Sequence, residues 1–365
     1  IHSGARLVEM SEFPFSTPAS LSQNFGGRID GVVRCQALAD WLNSIASMNA
    51  RDIFFNEFGR LRSGWRFLVF QLLVIFLGTA IGAAAGWILP RLALLGYGGD
   101  SSLFSFIFPR AVMFFLALFG GWLCGRFLED LPFRALGAWF TKNWLKDLAV
   151  GLLLGAASVA LAVLIAVAFG GMRLEMNQTA GSSAILLTLG ASLAVFMVGA
   201  AAEEAYFRGY MLQTFARARL AWLAIAFTSM FFASAHLDNP NSNLIATVNT
   251  ALAGVWLGVA YLKTRTLWLA FGIHLAWNWF LGAIFGIPVS GITELTTAPL
   301  MRQTETGADL IGGGAYGVEG GVACTLALIL STALIYFLPF VKPTEEMLAL
   351  TGEEIPKSRT LPENI

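Results

Sequence analysis

The sequence predicts an all-α, polytopic transmembrane helical bundle of about eight spans with both termini cytoplasmic, and three observations carry that expectation. Apolar side chains make up 56% of the 365 residues and charged ones 13%, about half the charge of a typical soluble chain. Mean hydropathy is +0.68, with 38 Gly, 30 Phe and 11 Trp, a composition with too little polar surface for a dispersed soluble fold. Apolar runs of roughly 20 residues, the helical length that crosses a ~30 Å hydrocarbon core, recur along the chain. Helices and closed barrels alone satisfy the backbone in lipid, and continuous rather than alternating apolar runs select helices.

Residues 1–50 mix Ser, Pro and Gly without a long apolar run and read as a poorly ordered extension. No basic segment followed by an apolar one marks a signal peptide near the start. Met48, just ahead of the basic-aromatic stretch from Arg51 to Arg66, reads as an alternative start. The membrane domain, 51–340, holds apolar runs at about 67–89, 108–126, 148–169, 184–208, 220–237, 244–262, 267–287 and 321–340, and 341–365 is a polar tail.

Orientation follows from the basic residues of the connections. Sixteen, from Arg51, Arg60, Arg62 and Arg66 through Lys142 and Lys146 to Lys357 and Arg359, fall on one side; Arg91, Arg110, Arg173 and Arg302 fall on the other. That bias fits a prokaryotic inner membrane. The 23 basic residues balance 23 acidic ones, which gives no reason to expect a nucleic-acid partner. Cys35, Cys124 and Cys324 form neither a CxxC nor an even framework, against a disulfide scaffold or a cysteine zinc site.

Gly78-x3-Gly82-x3-Gly86, Gly121-x3-Gly125, Gly151-x3-Gly155 and Gly254-x3-Gly258 put small residues on one helix face, as close helix packing requires. Trp65, Trp87, Trp144, Trp222 and Trp268 fall near span ends, where interfacial belts form. The 288–319 connection is expected to be flexible or re-entrant. Its Gly312-Gly313-Gly314-Ala315-Tyr316-Gly317 spells GxGxxG, but no strand is expected before it and no βαβ unit around it, so a dinucleotide site is rejected.

Ionisable groups inside spans are costly and mark function. Here they cluster in Glu203-Glu204-x3-Arg208, Phe232-x3-His236 and His274-x3-Asn278. Glu204 and Arg208, four apart on a helix, share a face, whereas Glu203 sits about 100° away and is free to act as a base or ligand. His274 and Asn278 present two polar groups to one cavity, and Phe232 is a wall beside His236. An interfacial ion-pair cluster or interhelical hydrogen bonding would account for each motif alone. The conjunction is harder to explain that way, because the chain holds three histidines and two fall in these motifs. Simple span placement sets Glu203 and His236 some 20 Å apart at 1.5 Å per residue, so a single site requires tilted, broken or differently set helices.

These three motifs, over about 145–285, resemble those of the CPBP (CAAX protease and bacteriocin-processing) intramembrane proteases, which include the type II CAAX prenyl endopeptidases. The resemblance implies an intramembrane endopeptidase acting on a membrane-embedded or lipidated protein or peptide. Glu203, helped by His236, would activate water; His274 and Asn278 would form the oxyanion hole; Glu204 and Arg208 would orient Glu203. Two mechanisms stay open, a metal-free one that needs no cofactor and one with zinc on Glu203, His236 and His274. Two non-protease alternatives are a membrane scaffold or bacteriocin-immunity-type protein that keeps the motifs as packing, and a proton-coupled transporter, against which the absence of an internal repeat counts.

Overall fold

The computed structural model describes residues 49–94 and 102–354. Residues 1–48 of the N-terminal extension, with Cys35 and Met48, residues 95–101, and residues 355–365 of the polar tail lie outside the described residues.

The described chain is helical. A short α1 (Ala50–Phe54) precedes α2 (Ser63–Leu94), α3 (Ser102–Leu128) and α4 (Trp144–Ala168). Strand β1 (Met172–Met176) leads to α5 (Ser182–Glu204), which continues through a π-helical segment (Ala205–Met211) into α6 (Leu212–Arg217). Next come α7 (Ala221–Ser234), α8 (Leu244–Thr264) and α9 (Leu267–Trp279), the last extended by a second π-helical segment (Phe280–Ile284). Strand β2 (Met301–Thr306), α10 (Asp309–Gly312), α11 (Val322–Phe337) and α12 (Glu345–Thr351) complete the order.

Among the described residues, six helical stretches are long and apolar enough to cross a membrane: Ser63–Arg91, Phe104–Leu128, Trp144–Ala168, Ser182–Arg217, Leu244–Thr264 and Leu267–Ile284. The apolar runs at 220–237 and 321–340 form helices of only 14 and 16 residues, about 21 and 24 Å long against a ~30 Å core. Each stops for a local reason. Turns replace helix from Ala235 towards Pro240. Leu338 is extended, as a residue ahead of a proline tends to be.

The core lies where α4, α5, α8, α9 and α11 meet, with Val159, Ala162, Ala260, Ala270 and Ile273 fully buried. Gly151 and Gly155 of α4 lie against the α9 backbone, and Gly272 of α9 lies against α4. A methyl group at Gly155 would meet Ile273 O, so this crossing tolerates no side chain there. Gly254 packs in the same way on Ser229 of α7. The α2 glycines behave otherwise: Gly78 faces Leu116, but among the described residues Gly82 and Gly86 meet nothing within 4 Å.

The 288–319 connection is built rather than flexible. β2 pairs antiparallel with β1, Met176 opposite Met301 and Glu175 opposite Arg302, with a register irregularity between Arg173 and Leu174. A strand therefore does precede the glycine run, contrary to expectation. The ribbon is two-stranded and antiparallel with no βαβ unit, and a methyl group at Gly312, Gly313 or Gly317 would meet backbone oxygens. These glycines permit backbone-to-backbone packing.

A buried charge cluster joins α2, α3, α6 and the end of the described chain. Arg66 pairs with Glu129 at 2.8 Å and Glu354 at 2.5 Å, and Arg217 pairs with Glu129 at 2.6 Å. Arg66 is fully buried.

Candidate active site

The last α-helical residues of α5 are Glu203 and Glu204, and the π-helical segment begins at the next residue. Such wide turns place side chains that a regular helix would rotate away, and they recur at functional sites. Arg208, inside the segment and fully buried, donates from Nη1 to Glu204 Oε1 at 3.0 Å and from Nη2 to Gly254 O at 3.3 Å. Its guanidinium carbon lies 4.7 Å from the Phe232 ring centre. The Glu204–Arg208 pair is thus present as the four-residue spacing predicts.

His274 occupies a place the sequence did not indicate. Its Nδ1 lies 2.8 Å from Glu204 Oε1, and its Nε2 lies 3.7 Å from Glu203 Oε2. The two glutamates diverge along the helix surface, yet one imidazole reaches both, because its nitrogens sit on different edges of the ring. Phe232 packs between the two histidines, 4.7 Å from the His236 ring and 6.1 Å from the His274 ring, and so forms a wall beside both.

His236 follows α7 in a turn, with its Nδ1 2.8 Å from Phe232 O. With Nδ1–H donating to that carbonyl, Nε2 is the nitrogen left for the cavity. Asn278 lies one turn beyond His274, just before the second π-helical segment. Glu203, His236, His274 and Asn278 all line one cavity of about 470 Å³. The expected 20 Å separation does not arise. Glu203 lies near the end of α5, ahead of a kink at Gly209 in the 182–217 run, and α7 stops at Ser234 with His236 in the turn that follows.

Sequence reasoning missed two charged cavity residues. Arg110 was assigned to an external connection but lies inside α3, lining the cavity. It rests on Phe106, with Nη1 donating to Phe106 O at 3.2 Å, and it is close enough to Glu203 for their charges to interact. The signal was available, since Arg110 follows the apolar Phe104–Pro109 stretch. Glu319 lines the same cavity, from a short 3-10 helix in the glycine-rich connection. Burial, the largest influence, raises its carboxyl above the ordinary range, while Ser290, Trp277 and the nearby His236 pull it down. No sequence pattern singled it out.

Among the described residues no group of three His, Cys, Asp or Glu is placed to hold a metal ion. His236 does not join Glu203 and His274 as a third ligand.

Residues 184–280 match the family model described as type II CAAX prenyl endopeptidase Rce1-like. The match is narrower than the expected 145–285 and contains all seven motif residues. The uncharacterized protein YyaK of Bacillus subtilis strain 168 is 30% identical over 183 residues, which is 47% of this chain and 58% of the relative. The chain therefore covers less than two thirds of that relative. No solved structure matches. With its long apolar helices, the chain is an integral membrane protein similar to this endopeptidase family across the segment that carries the motifs.

Proposed function

We propose that the chain is an intramembrane endopeptidase that hydrolyses peptide bonds of membrane-associated or lipidated substrates in a prokaryotic plasma membrane. The observation that carries this proposal is the meeting of Glu203, His236, His274 and Asn278 on one cavity within an apolar bundle. Val74, Phe106, Met113, Val195 and Phe196 line the same cavity and suit the apolar part of such a substrate. The similarity to prenyl endopeptidases supports the reaction class, and the Bacillus relative fits a prokaryotic setting.

Glu203 takes a proton from water as its oxygen attacks the scissile carbonyl, and His236 Nε2 holds that water. The carbonyl π electrons move to oxygen, and the resulting oxyanion receives hydrogen bonds from the Asn278 amide and the His274 Nε2–H. Donors fixed in advance contribute most at this step. Glu204 accepts from Nδ1–H of His274, and Arg208 holds Glu204 in place. The tetrahedral centre then collapses, the C–N bond breaks, and Glu203 returns its proton to the leaving amine. This is the dual acid–base role expected of one positioned carboxyl group.

The test is cleavage of an internally quenched peptide ending in an S-farnesyl Cys-aliphatic-aliphatic-X sequence by the purified full chain in detergent micelles. Glu203→Gln and His236→Ala should each lose at least about 100-fold in rate, with and without chelator. Full activity in Glu203→Gln would overturn the proposal, and loss of wild-type activity on chelation would overturn its metal-free form.

A further inference from the structure

We infer that Glu319 is a positioning residue for the proposed peptidase, a carboxylate that locks the helix carrying His274 and Asn278 by holding Trp277. The inference rests on the proposed function, and it assigns a role to a segment outside the stretch that resembles the endopeptidases.

Trp277 stands three residues after His274 and immediately before Asn278, so its indole fixes the rotation and depth of the last turn of α9. Its Nε1–H donates to Glu319 Oε1 at 2.8 Å. The other oxygen of Glu319 accepts from Ser290 N at 2.5 Å and Ser290 Oγ at 3.2 Å. Both oxygens are therefore used within the protein, and a half-buried carboxylate tied in this way anchors its neighbours instead of waiting for a ligand.

The anchor is itself fixed. Asn249 of α8 donates from Nδ2 to Glu319 O at 2.8 Å and to Gly321 O at 2.9 Å. Trp277 packs edge-on against Trp256, ring centres 5.4 Å apart, and Trp256 Nε1 donates to Ser331 Oγ at 2.8 Å. Glu319 thus connects α8, α9 and the Ser290 turn at one point on the cavity wall.

Local helix geometry explains why α9 needs such an anchor. Immediately after Trp279 the helix widens into the Phe280–Ile284 π-helical segment. Regular α-helical bonding therefore does not continue beyond the turn that carries Asn278. On its other face α9 packs closely on α4 through glycine contacts. The side-chain bond at Trp277 adds a restraint at the turn next to Asn278, on the cavity side.

The test compares the full-length wild type with Glu319→Gln, Glu319→Ala, Trp277→Phe and the Glu319→Ala/Trp277→Phe pair, using the same S-farnesyl peptide. Glu319→Ala should lower kcat about 10- to 100-fold with KM within about twofold, the signature of misplaced groups and not of lost binding. Trp277→Phe, which keeps the ring but removes the donor, should fall similarly, and the double variant no further than the worse single one. Glu319→Gln retains an acceptor for Trp277 but turns an amide donor toward Ser290 N, so its rate should fall between those of the wild type and Glu319→Ala. In parallel, the carbethoxylation rate of His274 by diethyl pyrocarbonate, read by mass spectrometry, should rise in Glu319→Ala and Trp277→Phe at unchanged thermal midpoint. Additive losses, or wild-type His274 reactivity in both single variants, would overturn the inference. If the wild type cleaves nothing, the proposed function falls, and His274 reactivity still decides the positioning.

Discussion

Oxygen Oε1 of Glu204 lies 2.8 Å from His274 Nδ1 and also accepts from Arg208 at 3.0 Å. One carboxylate therefore ties an imidazole to a fully buried guanidinium, whereas its neighbour Glu203, with its side chain 22% exposed, faces the cavity.

This division predicts different consequences for the two glutamates. Glu204→Ala leaves Arg208 buried without its charge partner, and breaking such a pair costs about 3–5 kcal/mol. Glu203→Gln should change stability by less than about 1 kcal/mol, because no comparable buried pair is lost. Denaturant unfolding of the two variants in the same detergent measures the contrast, and equal losses would contradict it.

Removal of an oxyanion donor should act on the chemical step. Asn278→Ala is expected to lower kcat by about 100- to 1,000-fold while leaving KM nearly unchanged. Steady-state kinetics on the S-farnesyl peptide separate the two, and a rise in KM at constant kcat would place Asn278 in substrate binding.

Helix packing supports a paired test. Gly155→Ala places a methyl group against Ile273 O and 3.0 Å from Ala276 Cβ, displacing α9. Overpacking of this kind costs about 1–3 kcal/mol and should slow catalysis through His274. Gly82→Ala meets nothing within 4 Å and should be neutral or up to about 1 kcal/mol stabilising, from helix propensity alone. Thermal midpoints of the two variants are the measurement.

Acid sensitivity should come partly from Glu354. Burial alone would raise its carboxyl, but the Arg66 hydrogen bond and charge, with Arg217 and Asn56, outweigh that and hold it below the ordinary range. For a carboxyl depressed on folding, the stabilisation is complete above its unfolded value of ~4.3 and disappears as pH falls through the lower folded value. Wild-type stability should therefore drop on acidification below about pH 4.3 more steeply than that of Glu354→Gln. Parallel pH–stability curves would contradict this assignment.

The helices were legible because long continuous apolar runs leave little choice in lipid, and the three polar motifs stood out against them. Arg208 finds Glu204 because four-residue spacing survives into the π-helical segment. His274 against Glu204 was not legible, since it depends on how α9 packs on α5, a relation between segments 70 residues apart. The β1–β2 ribbon was hidden in short polar-apolar stretches beside much stronger helical signals. Glu319 was hidden differently, as an acidic residue in a glycine-rich connection that becomes significant only once Trp277 is placed beside it.

The π-helical segment after Glu204 also constrains how the chain can vary in length. A π turn holds about one residue more than an α turn, and Gly209 kinks this one, so deleting a single residue within 205–211 would change the helical phase between α5 and α6. Everything on its N-terminal side would then rotate by about 100° relative to α6, and Glu203 would swing away from the cavity. Helical propensity would register such a deletion as harmless or even favourable. Among related sequences, a one-residue gap in this stretch therefore distinguishes chains that have lost the site from those that keep it, even where both glutamates are still written in the sequence.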